Sequence, residues 1–540
     1  MYELSASSTL AAIAGSAAAS RIEPTPASAR WRGAPSGSVV VGVSGAAQNA
    51  AAAICVNGRL QAFCEQERVS RIRRAGVEPG KLPDEAIDTV LGLAHLRRSD
   101  IQTIAAAEDC LTAADGVATR RFPHHFAHAA TAFLTSPFAE STILVCDHHS
   151  DPPLSVWSGR GQQITAVPWA RQGAGLAELY STCARIFGFR AGAEHGLEAL
   201  SRIGSGAAAE RLSPYFRYAD GSLRVGAGWQ EFVRDWLAEG RSDALAHRAH
   251  VASSVQAKLG EILCLLLADV KRASDAVNIC LAGGLFFNTY FNTAVHQSGL
   301  FDRVFVPPNP GNAGLAAGSA LAAAAEHGAM CARLETSPFL GPGYSLEEIK
   351  ATLDNCKLRY DCLHERELVD TTVDALCRGL TVGWFQGRME WGHRALGHRS
   401  ILASPLSPYA LDNLNVFLKQ REAYRAYGLS VREEDASRFF DGPPRSPYME
   451  FEYRVTAPGV LDGVLPAGTT RLRVQTIGET SQRFRSLHEA FGKATGTGVL
   501  VNTSFNGFNE PIVCSPRDAI RVFFGTGLDL LVMDRFVIRK

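Results

Sequence analysis

The dipeptide Asn57-Gly58 sits between two β-rich runs, AAAAICV and RLQAFCE, which themselves follow a third apolar run, SVVVGVS. Asn and Gly both tolerate positive φ, so the pair closes a tight hairpin, and the segment reads as strand, small-residue turn, strand, strand. A helical stretch from Leu82 to His95 follows. A second series has the same texture: STILVCDHH is a buried strand ending in polar residues, and VNICLAGGLFFNT is another ending at Gly283-Gly284. Two such halves facing a cleft put their strand ends on the ligand, because crevices beyond strand C-termini are where open α/β sheets bind.

At 540 residues the chain exceeds what one core organises, so two or more domains are expected. Residues 1–37 are rich in Ala, Ser and Pro and read as a disordered extension. Around SPFLGPGYSLEE, at residues 336 to 344, Pro and Gly punctuation and a new helix start mark a boundary, giving one domain over 38–338 and another over 339–540. Lys+Arg and Asp+Glu number 54 each, which leaves no electrostatic footprint for nucleic acid or an anionic membrane. No run of about 18 apolar residues is seen. The 12 cysteines form no CxxC pair, and several lie in apolar runs, as suits reduced thiols of a cytoplasmic protein. A homodimer is the default expectation for oligomeric state.

Two groups of residues carry chemistry. In the C-terminal part, Arg388, Arg394 and Arg399 alternate with Gly387, Gly392 and Gly397 beside Glu390, and the pattern predicts a helix carrying Lys419, Arg421 and Arg425. Arg473 begins a strand, and Ser504 and Asn506 follow the buried strand GVLVN. Guanidinium forks bind phosphate bidentately and glycines allow close backbone approach, yet arginine clusters are also common as salt-bridged surface. Both readings stay open on spacing alone. In the N-terminal part, RFPHHFAH places His124 and His128 at i, i+4, on one face of a helix that also carries His125, and Asp147 ends the next strand. Two imidazoles and a carboxylate suit a metal; buried structural histidines explain them as well.

The ordered set GRMEWGHRALGHRSI, KQREAYR, RVQT and NTSFN resembles the antibiotic and nodulation-factor O-carbamoyltransferases. The resemblance implies a duplicated βββαβα domain of the actin-like ATPase type, similar to the tRNA-modification protein Kae1, followed by a YrdC-like α/β domain. It implies that carbamoyl phosphate and ATP, with Mg2+, give carbamoyl adenylate, and that carbamoyl then passes to a small-molecule hydroxyl. On this reading Arg394, Lys419, Arg425 and Arg473 neutralise phosphate, while Ser504 and Asn506 hold carbamoyl and adenylate oxygens. His124, His128 and Asp147 bind Fe2+ and act with Lys419 and Arg425 in catalysis, and Gly283, Gly284 and Asn288 line the cleft.

The chain departs from that family at its ligand loops. Asn312 replaces a second metal-binding aspartate, Gln48 a histidine, Arg73 a lysine and Ala426 a proline. The Asp-Gly-x-Gly loop becomes Asp147-His148-His149-Ser150-Asp151, and Lys-Val-Met-Gly-Leu-Ala becomes Gly196 to Ser201. His148, His149 or Asp151 could supply replacement ligands. The changes also admit an amine acceptor, a ring-forming or hydrolytic reaction, or a non-catalytic scaffold. The region from Trp157 to Trp236, on the acceptor side, carries no readable motif.

Overall fold

A computed structural model describes residues 37–78, 80–107, 117–148, 150–169, 173–240, 244–331 and 337–540. Residues 1–36 of the extension, His149 and part of the 336–344 boundary lie outside them. Ser36 to Lys540 form one compact unit.

The first sheet holds β1 (Val39–Ser44), β2 (Ala51–Val56), β3 (Arg59–Glu65), β4 (Thr103–Ala107) and β5 (Ala118–Phe122), in the order β3-β2-β1-β4-β5. The hairpin forms where Asn57-Gly58 predicts it, with Asn57 at φ 53° and Gly58 at φ 76°. Two helices follow β3: α1 (Gln66–Ser70) and α2 (Asp84–Leu93). α3 (His124–Leu134) then leads into a second sheet of β6 (Glu140–Cys146), β7 (Leu154–Arg160) and β8 (Gln163–Val167). After α4 (Leu176–Ile186), α5 (Glu194–Ser201) and the hairpin β9 (Phe216–Ala219) and β10 (Ser222–Val225), the sheet is completed by β11 (Asn278–Ala282) and β12 (Arg303–Phe305). Its order is β12-β11-β6-β7-β8, with β6, β11 and β12 parallel.

α3 and the helix Leu315–Glu326 pack closely because both are built of small residues. Gly318 faces the Ala127 carbonyl so closely that a Cβ would come within 2.2 Å of its oxygen. This contact fixes the first turn of α3, and hence its histidines, relative to the turn at Asn312 that opens the partner helix. The helix Ala244–Arg272 is long and apolar enough to cross a membrane by length and composition, a feature absent from the sequence reading. Its most apolar window is 67% buried inside the fold, where Val255, Leu259, Leu263 and Leu267 enter the core.

The remaining strands make one sheet of ten. They are β13 (Asp361–Cys362), β14 (Val382–Phe385), β15 (Arg399–Ala403), β16 (Gly428–Arg432), β17 (Phe440–Asp441), β18 (Glu452–Val455), β19 (Arg471–Ile477), β20 (Leu500–Ser504), β21 (Leu530–Met533) and β22 (Phe536–Arg539). The order is β13-β22-β21-β14-β15-β20-β16-β19-β18-β17. Arg473 therefore stands in β19 and Ser504 ends β20, with β16 between them.

The helix expected across Lys419, Arg421 and Arg425 does not form. A π-helical segment, Asn413–Lys419, stops at Gln420, whose φ is 47°. The Asn415 side chain takes over the capping: its amide nitrogen donates to the carbonyls of Ala423 and Arg425, and its oxygen accepts from Arg421 Nε at 2.8 Å and Tyr427 Oη at 2.6 Å. Arg421 and Arg425 consequently lie on a compact turn, not a helix face.

Candidate active site

The strand ends of the second sheet and the loops around β15, β16, β19 and β20 enclose one cavity of about 1910 Å3. Of the twelve residues to which the family resemblance assigns a site role, ten line it: His124, Asp147, Gly284, Asn288, Arg394, Lys419, Arg425, Arg473, Ser504 and Asn506. His128 and Gly283 do not line it, though each is in the same turn or strand end as a residue that does.

On the N-terminal side, α3 begins immediately after Pro123, and its first turn presents His124 to the cavity. His124 Nε2 lies 2.9 Å from Asp147 Oδ2, and His128 Nε2 lies 3.4 Å from the same oxygen. Asp147 Oδ1 accepts the Gly284 N–H at 2.8 Å. Gly283, at φ 99°, makes this approach possible, since a Cβ there would meet the Cys146 carbonyl oxygen at 2.1 Å. Burial opposes the charge of Asp147, but His128, His124 and the Gly284 amide outweigh it and hold the carboxyl well below its usual range.

One ligand atom from each of His124, His128 and Asp147 falls within 4.8 Å of the others. Nδ1 of the fully buried His128 has no hydrogen-bond partner, and its Nε2 has only the 3.4 Å contact to Asp147. A buried imidazole left with one long contact is costly unless something else satisfies it, and with two imidazoles and a carboxylate converging, these three residues fit a divalent metal. Asn312 and Gln48 line the same cavity. The neighbouring His125 is different: its two nitrogens meet Ser155 Oγ at 2.7 Å and Ser150 Oγ at 2.9 Å.

The opposite side is cationic. Lys419 Nζ donates to the Ser504 carbonyl at 2.6 Å, the Asn506 carbonyl at 3.1 Å and Asn506 Oδ1 at 2.6 Å, with no carboxylate among these acceptors. Burial and the neighbouring Arg421 hold its ammonium well below the usual lysine range. Burial, Arg394 and Arg202 depress Arg473 likewise. Arg394 gives one hydrogen bond to the Phe287 carbonyl, at 3.1 Å, and its buried Nε has no partner. Buried cations crowded together, with Lys419 held only by neutral acceptors and Arg394 short of one, make a site for a polyanion.

The sequence reading missed a buried ionic cluster that ties the two sides together. Glu198 on α5 accepts from Arg202 Nη2 and from Thr289 Oγ1, and its other oxygen lies 3.7 Å from Arg473 Nη1. Arg202 Nε also donates to Glu452 Oε1 in β18 at 2.8 Å. Arg202, Arg473 and Arg394 overcome the burial of Glu198 and bring it down to about 2. The i, i+4 spacing of Glu198 and Arg202 on a helix was the available signal.

The sequence matches two family models, the carbamoyltransferase N-terminus over residues 103–321 and the carbamoyltransferase C-terminus over residues 373–540. It is 33% identical over 433 residues to the nodulation protein NolO of Bradyrhizobium diazoefficiens, covering 77% of this chain and 78% of that protein. It is 31% identical over 465 residues to an uncharacterized protein of Synechocystis sp., covering 77% of this chain and 75% of its relative. The nodulation protein NolNO of Sinorhizobium fredii is 29% identical over 550 residues, covering 91% of this chain and 78% of its own. By the extent of both family matches and the identity to these relatives, the chain belongs to the carbamoyltransferase family.

Proposed function

We propose that the protein is an ATP-dependent O-carbamoyltransferase that makes carbamoyl adenylate on the cationic side of its cavity and passes carbamoyl to a small-molecule hydroxyl on the histidine side. The observation that carries this reading is the continuity of one cavity between Lys419, Arg394 and Arg473 at one end and His124 and Asp147 at the other. In this reading residues 38–338 are the Kae1-like domain and 339–540 the YrdC-like domain.

The balance of the first step sets what the residues must do. Water opens the bond between carbamoyl and phosphate, releasing phosphate and carbamate. A carbamate oxygen then attacks the α-phosphorus of ATP, brought in with Mg2+, and pyrophosphate leaves. Charge accumulates on phosphate oxygens throughout, so positioned cations suffice and no protein nucleophile is required. Arg394, Arg425 and Arg473 take the phosphates, and Lys419 stands between them and the Ser504 and Asn506 end of β20. Glu198 holds Arg473 in place until an anion arrives. Iron at His124, His128 and Asp147 would supply a Lewis acid for the carbamoyl carbonyl. The balanced net charge of the chain argues for a small acceptor over a nucleic acid.

The test is exchange of labelled pyrophosphate into ATP. Exchange is expected to require carbamoyl phosphate and to fall by about 100-fold or more in Lys419→Ala and Arg473→Ala, each of which removes a charge from the developing transition state. A folded wild-type protein with no exchange, or variants that exchange at the wild-type rate, would reject the reading.

A further inference from the structure

We propose that Ser150 is a nucleophile that carries the carbamoyl group as a serine carbamate ester between carbamoyl adenylate and the acceptor, with His125 as its base. The proposal rests on the carbamoyl-adenylate reading above and adds a covalent step to it.

The geometry has the three parts that an activated hydroxyl requires: a nucleophile, a base within hydrogen-bond reach, and a group that orients the base. Ser150 lines the cavity, three residues beyond Asp147, and its Oγ lies 2.9 Å from His125 Nε2. The other ring nitrogen, Nδ1, lies 2.7 Å from Ser155 Oγ. Ser155 is itself held, because Trp157 Nε1 donates to its Oγ at 2.7 Å. The strand period makes this possible: Ser155 and Trp157 are two apart in β7 and point to the same side. An indole N–H can only donate, so one lone pair of Ser155 is committed to Trp157 and the other is open to His125. With the ring hydrogen on Nδ1 donated to Ser155, the Nε2 lone pair faces the Ser150 hydroxyl. The imidazole is largely buried, with 6% of its residue surface exposed, and it lines the cavity beside Ser150 and Ser155.

The chemistry closes in two steps. Ser150 Oγ attacks the carbamoyl carbon, its proton moves to His125 Nε2, and the bond from that carbon to the adenylate phosphate oxygen breaks. AMP leaves with the electron pair and takes the proton from His125. The acceptor hydroxyl then attacks the serine carbamate and gives its proton to His125. Ser150 Oγ leaves and recovers that proton, and the carbamoylated acceptor departs. No redox partner is involved, and no reagent enters beyond those of the proposed reaction.

A carbamate ester is resonance-stabilised and survives a denaturing quench, which makes the step observable. The full chain is incubated with ATP, Mg2+ and carbamoyl phosphate, without acceptor, then quenched and weighed intact. The expected result is a gain of one carbamoyl group, which peptide mapping places on Ser150. Ser150→Ala should lose the adduct while keeping carbamoyl-phosphate-dependent pyrophosphate exchange, which also shows that the variant is folded. Ser150→Cys should form a thiocarbamate at the same position, and His125→Gln should slow adduct formation by about 100-fold. If wild type exchanges pyrophosphate but gains no mass, or Ser150→Ala still gains it, the covalent step is overturned while adenylate formation stands. If wild type shows no exchange, the underlying reading fails and the covalent step falls with it.

Discussion

Glu198 is one carboxylate serving three partners, and its removal should be felt in both stability and pH response. Its folded value, about 2, lies below the ordinary glutamate range. A depressed carboxylate contributes stability that is complete above the unfolded value, near about 4.3, and is lost as pH falls through the folded one. The wild-type urea midpoint should therefore decline between pH 5 and pH 2, over and above the loss from other acids. Glu198→Gln should be less stable at pH 7 by about 3 kcal/mol, because Arg202 and Arg473 stay buried with a weaker acceptor. It should also show a flatter pH dependence in that window. Midpoints measured across pH decide the matter, and a variant as pH-sensitive as wild type would remove Glu198 from its assigned place. The same residue shows why part of the site escaped a reading of the sequence. His124, His128 and Asp147 announce themselves by a helical repeat and a strand end, both local signals. The worth of Glu198 depends on Glu452 and Arg473, which lie in strands more than 250 positions away and whose meeting no local pattern encodes.

The segment that delivers Lys419 teaches the same lesson for elements. The hairpin at Asn57-Gly58 and the strands before Asp147 and Gly283 were legible because turn chemistry and apolar runs are properties of neighbours in the chain. The four-residue spacing of Arg421 and Arg425 points to a helix, but the side chain of Asn415 caps the segment from within and turns the chain at Gln420. A left-handed backbone costs an L-residue roughly 1–2 kcal/mol, more for a β-branched one and nothing for glycine. Gln420→Gly should accordingly keep stability within about 1 kcal/mol of wild type and retain pyrophosphate exchange. Gln420→Val should lose about 1–2 kcal/mol and move the Lys419 ammonium off the end of β20, weakening exchange. Thermal melts and exchange assays on the two variants provide the comparison; identical behaviour would show that the turn is not what holds Lys419.

For the whole molecule, the contacts between sequence-distant parts are too numerous and too buried for the cavity to be assembled by loosely tethered halves. The buried Arg68 donates to the Gly392 carbonyl at 2.9 Å, next to the loop of Arg394. Arg71 donates to the Pro511 and Ile512 carbonyls at 2.9 and 2.7 Å, just past Asn506. The Glu452 amide donates to Thr293 Oγ1 at 2.8 Å and Asn292 Nδ2 to the Glu450 carbonyl at 2.9 Å, alongside the Arg202 to Glu452 pair. Opening the molecule along this seam would strand a buried guanidinium on one face and its carboxylate on the other, at about 3–5 kcal/mol for a single broken pair. The two sides of the cavity should therefore unfold together, as one calorimetric transition over Ser36 to Lys540. ATP, which in the proposed reading touches only the cationic side, should raise that single transition as a whole, by about 2.7 kcal/mol at a hundredfold excess over its Kd. Two resolved transitions, of which ATP moves only one, would mean that the sides fold independently and that, in the proposed reading, the adenylate would have to cross a flexible joint. A single transition that shifts intact is what one shared cavity demands, since in the proposed reading the intermediate passes from the cationic wall to the histidine wall only while both stand in place.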